Sequence, residues 1–241
     1  MRSAVETGTP FIFFRDTVNA ANPNKHAGMI YASNLCHEIA QNVGFTNLAE
    51  EIINEDGTIT TKTNTGDMVT CNLNSISLGR ITDEELEENI ALQIRMLDNV
   101  ISINQAPVPE SRMTSDKYRA IGLGTSGYHH YLVNHDIQWE SDEHIEVADK
   151  LFENIAYYSI KASMELAKEK GAYPAFKGSE WETGAYFTRR GYTSDRWKQL
   201  AADVAKYGIR NGYLMAVAPT GSTSNIANTT AGIDPIFKKF F

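Results

Sequence analysis

The chain has little cysteine, no cluster of basic residues and no long apolar run, and each shortage removes a class of function. Two cysteines, Cys36 and Cys71, among 241 residues cannot build a disulfide framework. Each is therefore either a packed hydrophobe or a working thiol. A formal net charge of -8 with a pI near 5.3 argues against a nucleic-acid-binding face. No segment approaches the roughly 20 consecutive apolar residues that cross a bilayer. The first ten residues lack the apolar centre of a secretory signal. A cytoplasmic protein with no membrane and no nucleic-acid partner is expected. His129, His130 and His135 match no zinc or calcium spacing, so they are expected at the surface or at helix ends, and no metal site is expected.

What is present suits one substantial core, with 42% hydrophobic residues and no linker-like shift in composition, so residues 1–241 are taken as one unit. Pro10 to Phe14 reads as a short buried strand, and Asn19 to Lys25 as a loop. Residues 54–67 read as a surface hairpin turning at Glu55-Asp56-Gly57. Met68 to Leu78 reads as a strand, with Val69, Cys71 and Leu73 on one face. Thr82-Asp-Glu-Glu85 is a capping-box pattern ahead of an apolar stripe at Ile90, Ile94, Leu97 and Ile101. Ser141 suits the start of a long helix carrying Val147, Leu151, Ile155 and Leu166 and ending at Gly171. A further helix is expected from Ser194 to Gly208. Tyr213 to Ala218 reads as a strand delivering a polar loop. Strands alternating with long helices indicate an α/β fold with parallel strands. The apolar stretches Phe11 to Phe14 and Ile236 to Phe241 lack flanking partners, and the chain reads as cut from something larger.

Three motifs bear on chemistry. In Asn34-Leu-Cys-His-Glu38 a thiol stands between an amide and a carboxylate at alternating positions, and an extended segment would turn all three to one face. Gly122-Leu-Gly-Thr-Ser-Gly127 matches a dinucleotide fingerprint, but the polar residues 110–119 before it are no buried strand; a tight turn or close helix packing is the better reading. Pro219-Thr-Gly-Ser-Thr223 follows a strand with hydroxyls and free N–H groups, which suits a phosphate, although on its residues alone a plain polar surface connection is the slightly better reading. Cys71 lies 35 residues beyond Cys36, and a second thiol in reach could act as a reductant.

These residues closely resemble the large subunit of class I ribonucleotide reductase. The resemblance is carried by Ser33-Asn-Leu-Cys-His-Glu-Ile39, Cys71-Asn-Leu-Asn-Ser75, Arg119 to Gly127, and Ala218 to Ile226 running on to Pro235, with support from Ala162 to Ala172. It implies part of a ten-stranded α/β barrel with a central finger loop carrying the radical cysteine. Carried over by residue, Cys36 would be the transient thiyl radical that takes the ribose 3′ hydrogen. Glu38 would receive the 3′-hydroxyl proton, and Asn34 would orient the sugar hydroxyls. Cys71 would be one of the two thiols that end as a disulfide. Substrate contacts would come from Ser33, Asn34, Leu35, Cys36 and Glu38, and the diphosphate would sit on Pro219, Thr220, Gly221, Ser222 and Thr223.

The same resemblance implies what this chain does not carry. No cofactor is expected on it: the radical would come from a dimetal small subunit, and electrons from a thioredoxin- or glutaredoxin-like donor. The partner thiol of Cys71, the ATP/dNTP effector sites, the tyrosine relay and the C-terminal cysteine tail belong to regions of the family outside these residues. The chain alone is expected to be inactive and poorly folded. Tyr157-Tyr158 is expected inside a helix, not as a relay pair. A noncatalytic remnant or assembly module is the alternative, against which the intact set Asn34, Cys36, Glu38 and Cys71 speaks. A cobalamin-dependent or glycyl-radical relative fits the wording around Cys36 and Pro219 less well.

Overall fold

A computed structural model describes residues 1–238; Lys239 to Phe241, the end of the apolar stretch noted above, lie outside the described residues. The chain forms helices α1 (Arg2–Thr7) and α2 (Arg15–Ala20), a hairpin of β1 (Asn47–Ile53) and β2 (Ile59–Asn64), and strand β3 (Leu73–Ser77). Helices α3 (Leu86–Ile103) and α4 (Pro109–Tyr118) lead to strand β4 (Gly122–Ser126). Then come α5 (Tyr128–Asn134), α6 (Asp142–Lys170), α7 (Glu180–Thr183), α8 (Ala185–Arg189), α9 (Asp195–Tyr207) and α10 (Gly221–Ile226).

The long helices begin and end where side-chain chemistry places them. The Glu85 carboxylate accepts from the Thr82 N–H at 2.9 Å, half of the reciprocal capping pair, just before α3. Ile90, Ile94, Leu97 and Ile101 are buried along that helix. Ser141 accepts the His144 N–H at 3.1 Å, Asp142 and Glu143 occupy the positive first turn of α6, and Lys168 and Lys170 its negative last turn. Gly171 ends it at φ 82, a left-handed position that glycine adopts without a Cβ clash. Helix α9 buries Trp197, Leu200 and Val204. Tyr157 and Tyr158 lie within α6.

β3 and β4 run parallel, from Leu73 opposite Gly122 to Ser77 opposite Ser126, and Leu123 bridges in parallel to Met215. This two-stranded parallel sheet, extended by one bridge to the segment at Met215, fits the α/β reading. It is not a closed barrel, and the described residues form no ten-stranded sheet. The stretch through Met215 is extended but pairs by one bridge, with Leu214, Ala216 and Ala218 buried and Met215 and Val217 exposed.

Several expectations are corrected. Gly122 and Gly124 belong to the fully buried strand β4 itself, not to a turn or a helix contact, whereas Gly127, at φ 71 as the N-cap of α5, does mark the turn into a helix. A Cβ on Gly122 would come within 2.5 Å of Leu73 Cδ2 and 2.9 Å of Ala216 Cβ, and one on Gly124 would overlap the Ala216 carbonyl. Close strand-to-strand approach explains them. Phe11 to Phe14 is no buried strand: Phe11, Ile12 and Phe14 are exposed, because no neighbouring strand pairs with the segment. The strand expected from Met68 begins at Leu73, so Val69 and Cys71 are in coil. The hairpin is found, with Gly57 at φ 83 in its turn and strands longer than expected on the β1 side, exposed along both strands.

Two buried polar clusters fasten the parts. Asp98 near the end of α3 is wholly inaccessible and receives Arg119 Nε at 2.7 Å, Arg210 Nε at 3.2 Å and Lys170 Nζ at 3.2 Å. Burial alone would raise its pKa, but the Arg119 hydrogen bond and charge, with Arg210 and Lys170, hold it below the usual carboxylate value. This hub ties the residues preceding β4 and the Met215 strand to α3 and α6. The second cluster holds the segment that carries Cys36.

Candidate functional site

Residues 21–46 have little regular structure, so their backbone groups need other partners. Three buried asparagines supply them. Asn22 Nδ2 donates to Asn42 Oδ1 at 2.8 Å, and Asn42 Nδ2 donates to the Asn24 carbonyl at 2.8 Å and to Tyr118 Oη at 3.2 Å. Asn24 Nδ2 donates to the Gly212 carbonyl at 2.9 Å, and Tyr173 Oη donates to Asn24 Oδ1 at 2.6 Å. Tyr213 Oη accepts from the Asn42 N–H and donates to Asn22 Oδ1, both at 3.2 Å. Burial pushes the Tyr173 and Tyr213 phenols well above their ordinary range, so both remain donors. The loop's two roots are thus pinned beside the start of the Met215 strand.

Between those roots, Asn34 to Glu38 is a tight turn and not an extended segment. The His37 N–H donates to the Asn34 carbonyl and the Asn34 N–H to the Ile39 carbonyl, both at 3.3 Å, while His37 sits at φ 66. The Asn34 side chain closes the turn: its Oδ1 accepts from the Ile39 N–H at 3.0 Å. Ser33 Oγ donates to the Asn34 carbonyl, and Leu35 is fully displayed at 88% exposure. The alternation argument therefore fails as geometry. Hydrogen bonding across the turn, not strand periodicity, gathers the side chains.

The gathering nevertheless includes a residue far along the chain. Asn34 Nδ2 lies 3.7 Å from Cys71 Sγ. Partial burial raises the Cys71 thiol, the Glu38 charge and the Cys36 charge raise it further, and the Asn34 amide works the other way. Asn34, Cys36, Glu38 and Cys71 therefore share one neighbourhood. Glu38 Oε2 is buried without a hydrogen-bond partner among the described residues. A half-buried carboxylate with one idle oxygen beside an exposed thiol is suited to accept a proton from a ligand.

Cys36, His37 and Glu38 line a cavity of about 850 Å³ whose floor is Leu123 to Thr125 of β4 and Met215 to Val217. Its far wall comes from α6 and the approach to α9, including Asp149, Arg190 and Tyr192. Tyr192 stacks on Trp197 at 3.8 Å, and Glu153 accepts from Trp197 Nε1 at 2.7 Å and from Arg196, whose hydrogen bond leads in lowering the Glu153 pKa. Sequence reasoning found neither this wall nor the asparagine cluster. The dense Asn19-Ala-Ala-Asn-Pro-Asn24 run was the available signal for the latter.

The Pro219–Thr223 loop is not brought to the Cys36 cavity, whose lining stops at Val217. Thr220 is buried and its Oγ1 accepts from the Gly232 N–H at 2.7 Å, an internal brace. Gly221, Ser222 and Thr223 are exposed in the first turn of α10. His129 and His130 sit in the first turn of α5: His129 stacks on Trp139 at 5.4 Å and accepts from the Ile236 N–H, and His130 Nδ1 lies 2.9 Å from Thr229 Oγ1. No helix among the described residues is long and apolar enough to cross a membrane.

Comparison with known proteins agrees with the resemblance read from the motifs. The model of the ribonucleotide reductase barrel domain matches residues 1–241. The ribonucleoside-diphosphate reductase subunit alpha of Treponema pallidum is 55% identical over 247 residues, covering 100% of this chain and 29% of that protein. The subunit alpha of Helicobacter pylori strain J99 is 38% identical over 97% of this chain and 36% of its own length. That of Synechocystis is 37% identical over 100% of this chain and 30% of its own length. The chain spans about a third of the length of these relatives. With a barrel-domain match over every residue and alpha subunits as its relatives, the chain belongs to the ribonucleotide reductase family.

Proposed function

We propose that this chain carries the ribose-reducing centre of a ribonucleoside-diphosphate reductase alpha subunit. One observation carries the reading: the turn at Asn34 to Glu38 and the distant Cys71 meet, with an idle Glu38 oxygen, beside a cavity of about 850 Å³. That volume falls within the roughly 300–1,000 Å³ usual for small-molecule sites. In the proposed cycle the Cys36 sulfur, as a thiyl radical, takes the 3′ hydrogen of the ribose. Glu38 accepts the 3′-hydroxyl proton, which promotes loss of the 2′-hydroxyl as water. The Asn34 amide N–H, free to turn from Cys71 while its oxygen holds the turn, orients the sugar. Cys71 and a second thiol supply two electrons and end as a disulfide, and Cys36 returns the hydrogen to C3′.

The Pro219–Thr223 loop lies outside the Cys36 cavity, whose lining ends at Val217. The substrate diphosphate would therefore extend out of the cavity past Val217 to the exposed N–H and hydroxyl groups of Gly221, Ser222 and Thr223, with Pro219 and Thr220 shaping the loop. Both cysteines already have roles, so the second reducing thiol must come from another polypeptide segment. The radical would come from a dimetal small subunit and the electrons from a thioredoxin- or glutaredoxin-like donor, in the cytoplasm. Effector sites for ATP and dNTPs would lie outside this chain.

The test uses an assembled reductase containing the remaining alpha-subunit polypeptide, and measures deoxynucleoside diphosphate formation. Cys36→Ser should abolish turnover, and Cys71→Ser should allow at most a single aberrant turnover. Glu38→Gln should lower kcat by about 10²–10⁴-fold, the usual worth of a positioned acid–base group. Unchanged turnover in all three would identify a noncatalytic assembly module instead.

A further inference from the structure

Cys36 and Cys71 are both free and exposed, and one side chain joins their surroundings. Asn34 Nδ2 touches the Cys71 sulfur at 3.7 Å, while Cys36 stands two residues beyond Asn34 in the same turn. The Cys36 charge is felt at Cys71, after burial and the Glu38 charge. The tip of the turn is exposed at Leu35, Cys36 and His37, so the thiol has room to swing. Cys71 lies in coil before β3, and because the neighbouring Asn72 carbonyl accepts from the Gly122 N–H at 2.9 Å, its thiol reaches Cys36 by side-chain rotation and by movement of the exposed turn.

We propose that Cys36 and Cys71 form a reversible disulfide with each other when the chain meets a peroxide, and that this bond is an off state of the Cys36 site. The Cys36 thiolate attacks the O–O bond, becoming a sulfenic acid as one water leaves with the thiol proton. The Cys71 thiol then attacks the Cys36 sulfur, the S–S bond forms, and the sulfenic oxygen leaves as a second water with the Cys71 proton. Two thiols lose two electrons and two protons, and one hydrogen peroxide takes up both. A dithiol reductant reverses the bond by exchange. This pairing differs from the one that turnover would give Cys71, whose other thiol lies elsewhere. Formation of the bond does not depend on the reductase reading; its consequence, the loss of a thiol able to carry the radical, rests on it.

The experiment treats an assembled reductase containing the remaining alpha-subunit polypeptide with hydrogen peroxide, blocks remaining thiols with iodoacetamide and digests with trypsin. Cys36 then falls in the peptide from His26 to Lys62 and Cys71 in that from Thr63 to Arg80. The expected product is these two peptides linked, lighter by two hydrogens than their sum, from polypeptides that are not cross-linked to another copy on a non-reducing denaturing gel. The link should disappear with dithiothreitol and in Cys36→Ser or Cys71→Ser. Unfolding in guanidinium should slow its formation by about tenfold or more, because the turn no longer holds the thiols near each other. Separate oxidation of the two peptides, linkage only between copies, or an equal rate in guanidinium would each overturn the proposal. An assembled reductase that proves inactive even when reduced would refute the functional reading and leave the linkage result standing.

Discussion

Removing the charge of Asp98 should be among the most damaging single changes in this chain. The carboxylate is wholly inaccessible, and the cations around it are mostly buried: Arg119 is 7% exposed and Arg210 14%. Asp98→Asn keeps the shape but leaves Arg119, Arg210 and Lys170 facing one another without an anion, and turns an amide donor toward other donors. Breaking a buried pair by removing one partner costs about 3–5 kcal/mol. That is a large share of the ~5–15 kcal/mol by which a domain is stable. With m near ~2–3 kcal/mol/M, the urea midpoint by far-UV circular dichroism should fall by about 1–2 M. The pH dependence has a fixed sign. Because the folded-state pKa of Asp98 is depressed, its contribution is complete above the ordinary carboxylate value and fades as pH falls through the depressed one. The gap between wild type and Asp98→Asn should therefore be widest near neutrality and narrow in acid. Asp98→Asn combined with Arg119→Met should recover much of the loss. A cost under about 1 kcal/mol at neutral pH, or a gap that persists in acid, would refute the assignment of Asp98 as a stabilising hub.

Other outcomes follow from the same structure. Asn42→Ala removes the bonds that pin the loop to Asn24 and Tyr118 and orphans buried partners, so it should cost about 1–3 kcal/mol in urea and speed alkylation of Cys36 by iodoacetamide. Gly124→Ala sets a Cβ against the Ala216 carbonyl, and should lower stability by about 1–3 kcal/mol, read as a lower Tm in calorimetry. Burial, then the Glu38 charge, raises the Cys71 thiol, so Glu38→Gln should lower the Cys71 pKa. Its alkylation near neutral pH, followed by mass spectrometry, should become faster; a rate unchanged by Glu38→Gln would show that the carboxylate does not face the thiol.

Legibility differed sharply between elements. The stripe at Ile90, Ile94, Leu97 and Ile101, the cap at Ser141 and the stop at Gly171 could be read because helix signals are local: periodicity, one cap and one glycine suffice. The hairpin at Gly57 was read for the same reason. β4 was missed because a central strand needs neighbours on both sides, and its glycines answer Leu73 and Ala216, remote in the chain. Phe11 to Phe14 shows the converse, an apolar run with strand propensity but no partner to pair with.

For the site, residue identities and family were written in the sequence: Asn34-Leu-Cys-His-Glu38, Cys71 and their order carried the resemblance that the family match then met. The manner of their meeting was not. Alternation along the chain predicts a shared face, yet His37 at φ 66 and the Asn34 side chain make a turn, and buried Asn22, Asn24 and Asn42 hold its roots. Sequence by itself determined which chemical groups this protein has, because chemistry belongs to side chains. Tertiary structure alone decided that an amide at 34 touches a sulfur at 71 and that one Glu38 oxygen is left idle, because distances and unmet hydrogen bonds exist only once the chain has packed.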